Sequence, residues 1–247
     1  MMKETSLNVK LINHTPDPQK TVAAAARLCY SSVGAEKLVE DMTDDEIEKL
    51  LGIILNNGHY STLEHITFTF AIEGISRVTS HQLVRHRIAS YSQQSQRYVR
   101  EKEQFDYVIP DKIKKDNELI ELFEENMKEQ QKLYDKLTEN LIERGYKEKE
   151  AIEAARYVLP NAAETKIVLS MNARSLLHFL EVRCCERAQK EIRNMARQIL
   201  KSVRGVAPII FDDAGPLCET ERRCKEGKMG CGRLNKILDK GVDENNE

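Results

Sequence analysis

Residues 74–100 contain neither aspartate nor glutamate, although the 247-residue chain carries 40 acidic side chains. The cations of this stretch are Arg77, Arg85, Arg87, Arg97 and Arg100, with no lysine among them. Either cation would serve solubility. Arginine alone implies planar, forked recognition of phosphate or carboxylate. The plainer reading of Arg85-His86-Arg87 is a helix end whose basic turn complements its own dipole. Residues 90–98 argue for a ligand instead, being hydroxyls and amides that end in Arg97 and Tyr98 and offer almost nothing to a core. The run has no glycine, so it is not a glycine-rich phosphate loop; side chains and main-chain amides would bind an anion together. Gln82 and Arg85 stand three apart and can face one ligand from the preceding helix.

The elements that position these residues follow from periodicity. Residues 6–13 alternate as a half-buried strand, and Thr15-Pro16-Asp17-Pro18 breaks it. Residues 22–30 are alanine-rich and helical. A second helix begins at Thr43 or Asp44 and ends at Asn56-Asn57-Gly58. In residues 65–72, Ile66, Phe68, Phe70 and Ile72 share one face of a strand, with Thr67 and Thr69 on the other. Residues 75–87 take a helical period. Residues 116–144 predict a long charged helix with a seam through Leu119, Leu122, Met127, Leu133, Leu137 and Leu141. A short helix runs from Glu148 to just before Pro160, and a strand covers 165–171. Residues 175–203 predict the longest amphipathic helix, with Leu177, Leu180, Cys184, Ala188, Ile192, Met195 and Ile199 along one side. The expected fold class is α+β, a small antiparallel sheet with long outer helices. One catalytic domain would span 1–214, and a polar, Cys- and Gly-bearing tail, loosely held, would span 215–247.

Composition narrows the class. A chain of this length buries roughly three quarters of its unfolded surface and needs no staple for its core. Lysine plus arginine (38) against 40 acids gives a net charge of −2, which excludes a polycationic nucleic-acid coat. No stretch approaches ~18 uninterrupted apolar residues, and residues 1–10 lack the apolar core of a secretory signal. Six cysteines without a paired framework fit a reduced, cytoplasmic protein.

Arg85-His86-Arg87-Ile88-Ala89-Ser90, followed by Ser95 and Arg97-Tyr98, resembles the signature of the flavin-dependent thymidylate synthases. Gly58-His59 with Glu64-His65, and Asn172-Ala173-Arg174-Ser175 with Arg183, support the resemblance, which covers residues 7–212. It implies a cytoplasmic homotetramer with FAD and dUMP sites shared between subunits. The reaction would be reductive methylation of dUMP to dTMP, with methylenetetrahydrofolate as one-carbon donor and NADPH as the reductant of FAD. It further implies that Ser61, Arg85, His86, Arg87, Gln93, Asn172, Ala173, Arg174 and His178 bind the flavin. For dUMP it points to Gln82, Leu83, Val84 and Arg85 as one wall. Gln93, Gln94, Ser95, Gln96 and Arg97 would form the nucleotide loop, Ser95 and Arg97 towards the phosphate, with Arg156 as a further nucleotide arginine. Arg183 is the catalytic residue of the resemblance, stabilising the N3-ionised uracil. A guanidinium keeps its proton in this range, so it can act only as a fixed electrostatic stabiliser. Gln93 stands where some relatives carry glutamate, which leaves it hydrogen bonding alone. Cys29 stands where some members have a flavin-contacting serine.

On an ideal helix His178 and Arg183 point about 140° apart, so they would serve different parts of the site or different neighbours. The histidines His59, His65, His81 and His86 lack the helical His-Glu-x-x-His spacing, and no metal is expected there. Glu64-His65 reads as a hydrogen-bonded pair orienting a loop. Cys184, on the apolar stripe, reads as a buried inert thiol. Cys218, Cys224 and Cys231 are not spaced as the short pairs of a zinc ribbon, yet three ligands in one tail could hold a metal or oxidise together. A nucleotide- or RNA-binding module would need a longer basic patch and a positive net charge. The same fold with a different pyrimidine acceptor would differ by a few contacts.

Overall fold

Four strands carry the alternation of the sequence in this computed structural model, which describes residues 3–101 and 104–243. They are β1 (Asn8–His14), β2 (Thr67–Ser76), β3 (Ala89–Gln93) and β4 (Glu164–Asn172), in the sheet order β1-β2-β4-β3. Residues 244–247 of the expected tail lie outside the described residues. Ile66, Phe68, Phe70 and Ile72 are fully buried, as the period of two requires. On the opposite face Thr69 Oγ1 lies 2.8 Å from Ser170 Oγ. Further along, the Gly74 N–H donates to Glu164 Oε1 at 3.0 Å, so β2 and β4 run antiparallel. Gly74 holds φ +70°, and a Cβ there would fall 2.0 Å from the carbonyl oxygen of Ser6. No other residue fits that close approach.

β3 takes the first part of the polar run, to Gln93, into the sheet, and residues 94–98 lie beyond it. Its polar side chains gave no apolar alternation, yet it lies beside β4 at an end of the sheet order, where one strand neighbour suffices.

Eleven helices are described: α1 (Pro18–Leu28), α2 (Ala35–Asp41), α3 (Asp44–Asn56), α4 (Arg77–Leu83), α5 (Asn117–Glu143), α6 (Glu148–Ala155), α7 (Ala173–Arg183), α8 (Lys190–Arg204), α9 (Pro208–Phe211), α10 (Leu217–Thr220) and α11 (Arg233–Asp243). Their ends obey local chemistry. Thr43 and Glu46 form a reciprocal capping box at α3, and Gly58 at φ +69° lies just beyond its end. Asp116 caps α5 through the N–H groups of Glu118 and Leu119.

Two expectations about long helices are corrected. Of the expected seam α5 buries only Met127, joined by Gln131, Tyr134 and Thr138; Leu119, Leu122, Leu133 and Leu137 are exposed and Leu141 is half-buried. The donors on that face are satisfied: Gln131 Nε2 donates to the Glu101 carbonyl at 2.8 Å, and Thr138 Oγ1 to the Tyr134 carbonyl at 2.8 Å, while Gln131 Oε1 is buried without a partner. The single helix expected over 175–203 is broken between α7 and α8. Arg193 Nη1 donates to the carbonyls of Glu186 (2.8 Å) and Ala188 (3.3 Å), satisfying groups released by the break. The apolar stripe survives: Leu180, Cys184, Ile192, Met195 and Ile199 are buried.

The chain forms two compact units. The first comprises Met1–Asn8, Ala71–Arg85 and Tyr91–Val168, with a core cluster of Phe105, Tyr107, Ile109, Met127 and Ala163. The second comprises Val9–Phe70, His86–Ser90 and Leu169–Glu247. Its core includes Phe68, packed edge-on against Phe211 at 5.4 Å, with Leu51, Leu63, Leu176 and Val203 buried. The expected tail is not bare coil, because α10 and α11 lie within it. Arg233 pairs with Glu186 and Glu219, and Lys225 with Glu181.

Candidate active site

In the second unit the site is built on α7. Asn172 Oδ1 accepts from the Ser175 N–H at 2.8 Å and caps the helix, while the N–H of buried Ala173 donates to the Ile66 carbonyl at 3.0 Å. These two expected flavin residues therefore also fix where α7 starts. Arg174 is exposed and pairs with Glu64 at 2.5 Å, so the partner of Glu64 is this arginine, not the His65 read from the sequence. The first turn of α7 carries no acid. His178 follows on an exposed position, and Arg183 is the last helical residue. Ser61 and Arg87 are also exposed.

His86 is the centre of this cluster. Its ring meets Phe179 edge-on at 5.0 Å and lies 6.4 Å from the ring of His178. Arg183 Nε donates to His86 Nε2 at 2.8 Å. Burial first, then the charges of Arg183 and His178, push the imidazole down to about 4. It is therefore neutral near pH 7. Nε2 accepts, so its proton sits on Nδ1. Both expected residues neighbour His86: the long arginine side chain at the helix end reaches its Nε2, and the His178 ring lies beside its ring. Ile88, two residues on, holds φ +63° with 75% of its surface exposed, an unfavourable backbone for a β-branched residue.

In the first unit α4 places the candidate nucleotide residues. Gln82 is half-buried, and Val84 and Arg85 are exposed. Leu83 is fully buried, so its side chain belongs to the core; its carbonyl accepts the Tyr91 hydroxyl at 2.9 Å. Burial raises that phenol to about 12. Gln93 Nε2 donates to Ser80 Oγ (3.1 Å) and Thr165 Oγ1 (3.0 Å), which locks the amide. Beyond β3 the chain turns: Ser95 Oγ accepts from the Arg97 N–H at 3.2 Å, and the Ser95 carbonyl from the Val99 N–H at 3.0 Å. Gln94 and Gln96 are half-buried in the same run. Arg97 Nη2 lies 3.1 Å from Glu153 Oε2, and Arg100 Nη1 lies 3.1 Å from Glu148 Oε1, both carboxylates on α6. The Nε atoms of Arg97, Arg100 and Arg156 are buried without a hydrogen-bond partner. Burial and the charge of Arg156 pull Arg77 below the usual guanidinium range.

Residues 10–209 match the family described as "Thymidylate synthase complementing protein". The chain belongs to this family, that of the flavin-dependent thymidylate synthases. A flavin-dependent thymidylate synthase of Clostridium tetani is 52% identical over 239 residues, covering 94% of this chain and 95% of its own. That of Geobacter sulfurreducens is 50% identical, with 94% and 96% covered. That of Pyrococcus furiosus is 44% identical, with 91% and 93% covered. Among solved structures, the UMP/dUMP methylase PolB from Streptomyces cacaoi bound with 5-Br dUMP shares the fold. It has a TM-score of 0.70 at 21% identity and covers 86% of this chain and 96% of its own.

Within this flavin-dependent thymidylate synthase fold, the sequence-derived residues divide by unit. Ser61, His86, Arg87, Asn172, Ala173, Arg174, His178 and Arg183 fall in the second. Gln82–Arg85, the run from Gln93 to Arg97, and Arg156 fall in the first. Sequence reasoning missed Glu64, Glu153 and Phe179 as partners. Their spacing to Arg174, Arg97 and His86 carries no local period, and only the folded chain pairs them. Arg77 had one signal, its place in the acid-free segment. Among the described residues no group of three His, Cys, Asp or Glu side chains stands ready to hold a metal, and no helix is long and apolar enough to cross a membrane.

Proposed function

We propose that this enzyme methylates dUMP reductively to dTMP, using FAD, methylenetetrahydrofolate and NADPH. The reading rests on family membership and on one geometric observation, the Arg183 guanidinium aimed by a neutral His86. The donor set suits a flavin dinucleotide: Arg87 and Arg174 are exposed cations, and the dipole of an acid-free helix start favours a pyrophosphate. When bound, FAD supplies the electrons of the reduction. Ser61, Arg85, His86, Arg87, Gln93, Asn172, Ala173, Arg174 and His178 form its binding set.

Gln82, Leu83, Val84, Arg85, Gln93, Gln94, Ser95, Gln96, Arg97 and Arg156 hold dUMP. Leu83 and Gln93 act mainly through the backbone and networks they anchor. The unpartnered Nε atoms of Arg97 and Arg156 fit an anionic group such as the nucleotide phosphate. Arg183 keeps its proton throughout and favours the negative charge that develops on uracil when N3 is ionised. His86 cannot compete for that charge as a cation, because it is neutral at working pH. The active form is a cytoplasmic homotetramer whose FAD and dUMP sites are completed by neighbouring subunits. The exposed Leu119, Leu122, Leu133 and Leu137 of α5 supply apolar surface for such contacts. The catalytic region is 1–214.

The purified enzyme is expected to be yellow, and anaerobic NADPH with dUMP should bleach it. Adding methylenetetrahydrofolate should then release dTMP. A colourless protein indifferent to dUMP, or a flavoprotein that yields no dTMP, overturns the reading.

A further inference from the structure

Thymidylate chemistry leaves the cysteines unused. Cys184 is packing: it is buried, and burial pushes its thiol up to about 11. Apart from Cys29, just after α1, the other four behave differently. Cys185, just after α7, and Cys218, Cys224 and Cys231 of the tail line one cleft of about 520 Å³ within the second unit. Cys218 has both Cys185 and Cys231 close enough to act on its charge. Cys224 turns its sulfur onto the peptide beside Cys231, where a Cβ on Gly230 would lie 3.4 Å from Sγ. Gly227 at φ +50° and Gly232 at φ +79° turn the chain on either side of Cys231.

Surface ion pairs such as Lys225 with Glu181 and Arg233 with Glu186 fasten the tail, with almost no core beneath it. Across described residues 217–239 only Cys218 is buried. A segment so short and so poor in core ordinarily needs a metal or a disulfide, and all six cysteines are free thiols. Arg187, Lys225, Lys228 and Arg233 line the same cleft.

We propose that Cys185, Cys218, Cys224 and Cys231 form a tetrathiolate site for Zn²⁺. Sulfur-only ligation selects a soft or borderline cation, and four thiolates match the closed tetrahedral shell of structural zinc. No three of these sulfurs yet stand at ligating distance among the described residues, so binding includes closure of residues 218–231 onto the ion. Intervals of five and six residues between the tail cysteines are short enough to close at little entropic cost. Each Zn–S bond forms as a thiol releases its proton to solvent, and no electron moves. The surrounding Arg and Lys side chains then offset the excess negative charge of the thiolate shell. The site is separate from the flavin and nucleotide residues, and its role is to clasp the tail to the end of α7.

The test uses the full-length protein, reduced, stripped with a chelator and titrated with Co²⁺. One equivalent is expected to produce thiolate-to-cobalt charge-transfer absorption with the intense d–d bands of a tetrahedral ion. It should also remove four thiols from reaction with a disulfide reagent. Zn²⁺ should displace the cobalt and slow tryptic cleavage at Arg222, Arg223, Lys225 and Lys228 by about tenfold or more. The double variant C224S/C231S should lose the cobalt bands while still binding flavin, which shows that it has folded. Four thiols that stay reactive with cobalt present overturn the proposal, as do bands that persist in the variant. Iron and sulfide in the isolated protein would replace zinc with a cluster and overturn the choice of ion.

Discussion

At Arg183 the charge is set by the guanidinium and its aim by His86, and the two can be separated experimentally. Arg183→Ala should keep flavin binding and lose turnover; full activity would remove Arg183 from the chemistry. His86 has its own signature. In the unfolded chain its imidazole takes a proton near 6.5, in the folded chain at about 4. As pH falls through that window the unfolded state binds the extra proton first, so stability declines. Thermal unfolding from pH 6.5 to 4 should therefore show a steeper loss for the native chain than for His86→Gln. NMR should place His86 titration at about 4; a value near 6.5 would contradict the buried, arginine-bonded ring. Arg97 gives a paired prediction. Arg97→Ala should weaken dUMP about tenfold or more, the loss of a charge-assisted bond. Glu153→Gln should leave affinity unchanged or raise it a few-fold at most, since a half-exposed ion pair contributes ~1 kcal/mol or less. A loss of dUMP affinity in Glu153→Gln would mean that the carboxylate orients Arg97.

Among the elements, the cap at Asn172 carries the most consequence, because it decides where Arg174, His178 and Arg183 emerge. Asn172→Ala should lower stability by about 1 kcal/mol, and flavin affinity should fall with it; denaturant melts and fluorescence titration check both. Much of this scale was legible in the sequence. The alternation at Phe68 and Phe70, the Thr43–Glu46 cap and the stop at Gly58 are local rules that the fold obeys. What failed was non-local. β3 is a strand because β4 is beside it, not because Ser90 and Ser92 favour extension. α5 hides the donors of Gln131 and Thr138 against the carbonyls of Glu101 and Tyr134, which no leucine count reveals. The α7–α8 break depends on Arg193 finding two carbonyls. At the candidate site, the arginine-only composition singled out the segment before any contact was known. The carboxylates that meet those arginines lie tens of residues away, and only folding brings them there.

For the whole molecule, net charge is close to balanced at −2, so steering of an anionic nucleotide must come from local arginine density, not from the overall field. dUMP affinity should accordingly fall as ionic strength rises and the Debye length shrinks. Affinity indifferent to salt would count against an arginine-held phosphate. The interleaving of the two units has a consequence for biosynthesis. The second unit opens at Val9, yet its final segment begins only at Leu169, while every part of the first has been translated by Val168. On the ribosome, the unit that carries the proposed nucleotide residues is thus fully synthesised while its companion still awaits α7. Arg183 is among the later functional groups to be delivered, and no contiguous gene fragment encodes either portion alone.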